Sequence, residues 1–152
     1  MRAIPPVRAR MGRMFTWIVS HPFAYPALEV VHIVGIALLL GNLVLFELRV
    51  WGFGPELPVP VLARLALRLS LAGFALIAAS GLLMFAGQPA ELLANRSFVI
   101  KMGLVTLAGL NAAWFHQRGS LQRLDRGARA LTVVSLGLWL AVIICGRWIA
   151  YV

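Results

Sequence analysis

Acidic side chains are scarce in this chain: five in 152 residues, and charged residues of both signs make up only 12%. A soluble domain of this length carries about 25%, so a fold surrounded by water is excluded. Cysteine is nearly absent. The single Cys145 rules out an internal disulfide and any site built from several thiolates; in an apolar run it reads as a small core residue. The sequence also lacks a Ser-His-Asp set, a Cys-His pair, a phosphate-binding loop and paired carboxylates, which leaves hydrolase chemistry without support.

Apolar length is what the chain has instead. Hydrophobic residues make up 61% of it. Four runs, 27–48, 65–87, 98–116 and 128–149, are each close to or above the roughly 20 helical residues needed to cross a hydrocarbon core of about 30 Å. The expected fold is all-α, an integral membrane up-and-down four-helix bundle over residues 27–152. Residues 1–26 form a separate N-terminal segment with Arg2, Arg8, Arg10 and Arg13. Its apolar part is too short for a secretory signal and no small-residue cleavage site follows. It is expected to lie along the interface, with Trp17, Phe23 and Tyr25 at headgroup level.

The net charge of +9 does not point to nucleic acid. The basic residues sit in loops and at span ends, where they anchor to anionic lipid. If side A denotes the face from which the first span enters, it collects Arg96, Lys101, Arg147 and the four N-terminal arginines. Side B collects Arg49, Arg64, Arg68, Arg118, Arg123, Arg126 and Arg129. That is seven each of the 14, so the distribution of positive charge assigns no orientation. Of the connections, 50–64 is proline-rich and reads as irregular, and Asn95 in 88–97 is placed to cap the third span.

Ionisable groups inside a span face a protein interior and have a task there. At about 1.5 Å per residue, antiparallel spans can be matched by depth. His32 lies about 7–8 Å below side A, and Met84 and Lys101 roughly 5 Å below it. Glu29 sits just above, and Arg147 approaches the same layer from the fourth span. His116 falls at the opposite face, so it and His32, about 20 Å apart in depth, cannot be two axial ligands of one haem. A second polar layer, Asn42, Ser70, Asn111 and Ser135, is read as interhelical hydrogen bonding. The second span also carries a stripe at helical spacing, Ser70, Gly73, Ile77, Ser80, Gly81 and Met84, whose face lets a neighbouring helix or a flat ligand come close.

In the side A layer, neutral imidazole at His32 suits haem iron or copper. Glu29, one turn away, would accept from its other ring nitrogen, Met84 would offer a thioether, and Lys101 and Arg147 would meet porphyrin propionates. Each residue also has a plainer reading. His32 then bonds Glu29 or a carbonyl, Met84 fills a core gap, Lys101 snorkels to the surface, and His116, the other histidine considered as a metal ligand, is an interfacial residue.

Tyr25-Pro26, Glu29, His32, Gly35, Gly41 and the ending Glu47-Leu48-Arg49-x-x-Gly52 carry a resemblance. So do Asn95-x-x-Phe98-x-x-Lys101 and Asn111…Phe115-His116. Together they resemble an uncharacterised family of small four-helix bacterial membrane proteins, in whose pattern Asp stands where this chain has Glu47. That resemblance implies a bacterial inner-membrane location. More remotely, a His early in the first span and a Lys early in the third are similar to the copper-resistance protein D family and to HemJ-type protoporphyrinogen oxidases. The latter likeness implies an axial haem position for His32 and a pocket position for Lys101, although the aromatic motif that follows the first-span His in those oxidases is absent here. The functional expectation is a haem b protein that exchanges electrons with a quinone, a porphyrin or a partner subunit. A copper-handling protein, or a non-catalytic subunit of a larger membrane complex or homo-oligomer, are the other readings.

Overall fold

The computed structural model describes residues 21–151; the expected interfacial placement of the N-terminal segment therefore lies, for its first 20 residues, outside the described part. Six helices occur among the described residues: α1 (Ala24–Trp51), α2 (Val59–Gly87), α3 (Pro89–Ala94), α4 (Arg96–Gln117), α5 (Ser120–Arg123) and α6 (Arg126–Trp148). Four of them, α1, α2, α4 and α6, are long and apolar enough to cross a membrane. Their outer faces carry large exposed apolar side chains such as Leu71 (69%) and Leu110 (62%), which only lipid can cover without cost. The protein is a multi-pass, all-α membrane bundle.

The helix ends are set by local chemistry. Pro60 lies in the first turn of α2, where a missing N–H costs nothing. Helix α1 stops at Gly52, whose φ of 106° needs a residue without Cβ. The loop expected to be irregular from 50 to 64 is shorter than that, because α1 runs on to Trp51 and α2 starts at Val59. Arg49 ties it down, its Nε donating to the Leu57 carbonyl (2.8 Å) and its Nη2 to that of Pro55 (3.3 Å). Asn95 caps α4, its Oδ1 accepting from the amides of Ser97 and Phe98.

Asp125 caps α6 by accepting from the Ala128 amide (2.8 Å) and pairs with the Arg118 fork (2.9 and 3.3 Å). The amide bond first, and Arg118 after it, hold the Asp125 carboxyl below the usual carboxylate range. A group lowered in this way stabilises the fold above its ordinary value of about 3.9 and loses that contribution as pH falls through its folded value. The protection of the Ala128 amide against hydrogen exchange, corrected for intrinsic rates, is therefore expected to drop below about pH 4. In Asp125→Asn that drop disappears.

The four spans are arranged as an arc. Helix α1 packs along α2 on one side and against α6 on the other, and α6 packs against α4; α2 and α4, at the ends of the arc, make no close backbone approach. The α1–α2 crossing is the tightest. A Cβ on Gly73 would stand 2.7 Å from the Gly35 carbonyl oxygen and the Leu39 nitrogen, and one on Gly35 would stand 2.8 Å from the Gly73 carbonyl oxygen. Small residues at such a crossing let backbones touch, and Ser70 Oγ adds a bond to the Leu39 carbonyl across it. Near side B a core of Phe46, Val50, Ala63, Ala66, Phe115 and Ala128 closes the bundle. Near side A the rings of Phe85 (α2) and Phe98 (α4) stack at 5.7 Å and 8°, bridging the ends of the arc.

Candidate functional site

His32 is half-buried on α1, and the neighbouring helix α2 decides its chemistry. Its Nδ1 lies 2.9 Å from Ser80 Oγ. The Ser80 hydroxyl has one proton, and it is directed back along its own helix, to the carbonyls of Leu76 (2.7 Å) and Ile77 (3.2 Å). The hydroxyl therefore accepts from the ring. With the Ser80 proton so directed, that contact places the ring proton on Nδ1 and the lone pair of the neutral ring on Nε2, which has no hydrogen-bond partner among the described residues. The ring rests over Gly81, where a Cβ would come to 3.4 Å from Cε1.

Ser80 is thus the residue that orients His32, in the place where the sequence suggested Glu29. Glu29 is exposed and lies near Tyr25, whose hydroxyl accepts from Gln88 Nε2 (3.3 Å). The signal for Ser80 was its depth. It lies seven residues before the end of the second span, about 10 Å below side A and within a turn of His32.

Lys101, half-buried on α4, runs its chain over Gly146 of α6. A Cβ there would sit 3.4 Å from Nζ and 3.6 Å from Cε. Its charge is within electrostatic reach of His32. The single ion pair among the described residues is Arg118–Asp125, so the ammonium has no carboxylate partner there. Met84, half-buried, is one turn beyond Ser80 and Gly81 on the same helix and so shares the face that supports His32. Arg147 is not brought in. It is exposed, bonded to the Tyr151 hydroxyl and 4.9 Å from that ring's centroid. His116 is exposed in the last turn of α4, its Nδ1 donating to the Ala112 carbonyl at 2.9 Å. It belongs to the other face of the membrane.

Among the described residues no three His, Cys, Asp or Glu side chains come together. The layer offers one strong nitrogen ligand, a thioether on the adjoining face and an ammonium without a counter-ion. No family model, characterised protein or solved structure matches the chain.

The second polar layer is mostly interhelical. Ser70 bonds to α1, Asn111 Nδ2 donates to the Leu131 carbonyl of α6 (3.0 Å), and Asn42 turns back to the Leu38 carbonyl of its own helix. Ser135 lies beside Glu47. Glu47 itself escaped the sequence reading, which placed it at the polar end of the first span. It is 2% exposed, and its Oε2 has no hydrogen-bond partner among the described residues. The available signal was the buried stripe Gly35, Leu39, Phe46 and Val50, into which a residue at position 47 falls.

Proposed function

We propose that the protein binds haem b through His32 Nε2 and carries electrons within the membrane. The observation that supports this reading is the 2.9 Å contact between Nδ1 and Ser80 Oγ, which engages that nitrogen and leaves Nε2 as a ready iron ligand with its outer partner in place. A single protein nitrogen without a cage of further ligands suits a porphyrin, which brings four nitrogens of its own. Lys101 supplies the positive charge for a propionate, and the absence of a side chain at Gly81 and Gly146 lets His32 and Lys101 lie close against the neighbouring helices. Met84 would offer a thioether from the face of α2 that supports His32. Bound haem would supply a one-electron iron couple; the redox partner is a quinone, a porphyrin or a partner subunit, in a bacterial inner membrane.

The role of Lys101 separates this reading from a general apolar cleft. Haemin titrated into the detergent-solubilised protein is expected to bind saturably. In Lys101→Gln its affinity is expected to fall about tenfold, the loss of about 1.4 kcal/mol from one charge-assisted contact. Haemin dimethyl ester, which has no carboxylates, is expected to bind both proteins alike. Equal binding of acid and ester by the unsubstituted protein would remove the propionate site.

A further inference from the structure

At the other end of α1 stands a second ionisable group, independent of any cofactor near side A. Glu47 is one turn inside the end of its helix, about 7 Å from side B. It is buried, at the level where the rings of Phe46 and Phe115 meet edge to face at 5.9 Å. Charged groups on every element around it are turned elsewhere. Arg49 of α1 is bound to loop carbonyls, and Arg118 is paired with Asp125. Arg64 and Arg68 of α2, His116 of α4, and Arg126 and Arg129 of α6 are all exposed. Among the described residues none of them forms an ion pair with the carboxyl, and the Ser135 hydroxyl lies beside it. A bare carboxylate in that position would carry a full charge without a protein cation or donor at Oε2 among the described residues, an arrangement proteins avoid.

We propose that Glu47 is a hydrogen-ion binding site inside the membrane, exchanging its proton with water on side B. Ser135 and Thr132, three residues apart, share one face of α6, with Thr132 one turn nearer side B. Thr132 Oγ1 accepts from Trp51 Nε1 and donates to the Arg129 carbonyl, both at 2.8 Å. The Trp51–Thr132 pair is therefore about one helical turn nearer side B than Glu47 and Ser135. On loading, a proton from side B forms an O–H bond at Oε2. On release that bond's electron pair remains on the carboxylate and the proton leaves by the same face.

Infrared spectroscopy of the full chain in phosphatidylcholine vesicles tests this. The chain has four glutamates, of which Glu29, Glu56 and Glu91 are exposed. Replacing those three by glutamine leaves Glu47 as the sole glutamate without disturbing the core. In that protein, labelled with carboxyl-13C glutamate, a carboxylic-acid C=O band is expected at neutral pH, shifted by the isotope. It should shift again within minutes of transfer to deuterated water. Glu47→Gln is expected to lose the band and Glu47→Asp to retain one without the isotope shift. Absence of an acid band from the sole-glutamate protein would overturn the proposal. So would a band that does not respond to deuterated water, which would mark a sealed structural acid.

Discussion

His32→Ala is expected to yield a folded, membrane-inserted protein that binds no haem. The substitution removes one half-buried ring and its bond to Ser80, a stability loss on the order of 1 kcal/mol that a four-span bundle tolerates. The same change takes away the one strong nitrogen ligand of the layer, and neither Met84 nor Lys101 replaces an imidazole at iron. Haem absorbance per protein is therefore expected to fall to background while helix content by circular dichroism stays unchanged. A His32→Gly variant leaves a ring-sized space over Gly81, so added imidazole is expected to restore pigment there. Full haem content in a folded His32→Ala protein would place the iron elsewhere.

The second large effect is mechanical. Gly73→Leu is expected to force α1 and α2 apart, because its Cβ would stand 2.7 Å from backbone atoms of Gly35 and Leu39, which cannot swing aside as a flexible side chain does. Overpacked sites cost about 1–3 kcal/mol, and a clash with backbone on both helices belongs at the upper end. Ser80 is two turns further along α2, so the separated hairpin also loses the contact that fixes the His32 tautomer. Haem affinity should then fall with stability. Gly41→Leu is the control: nothing lies within 4 Å of a Cβ at Gly41, and its stability in a detergent thermal melt is expected to match the unsubstituted protein. Equal melting of the two variants would mean that the Gly35–Gly73 crossing does not hold the hairpin.

The fold class was legible in the sequence because apolar length alone dictates a spanning helix, and the lipid requires each one to satisfy its own backbone. Asn95 was legible as a cap because its side chain acts on amides two and three residues away. The stripe Ser70, Gly73 and Ser80 was legible as a packing face, and all three are buried. What depth could not supply was direction around the helix axis. It placed Arg147 in the layer of His32, but the guanidinium turns outward to Tyr151. It set Glu29 one turn from His32, yet that side chain is exposed while the ring turns toward α2. Ser80 passed as packing because its pairing with His32 depends on which helix faces α1, and the sequence does not state that. Glu47 passed as a span end because the run of apolar residues stops before the helix does.

The most direct test of the central claim is a reduced-minus-oxidised optical spectrum of the protein purified from cells supplied with haem precursor, with metal analysis on the same sample. The account predicts a b-type spectrum with iron in proportion to porphyrin. Bound copper without porphyrin bands would contradict it and make His32 and Met84 a metal-handling pair. A protein with neither would contradict it as well, and His32 would then be a buried polar residue satisfied by Ser80.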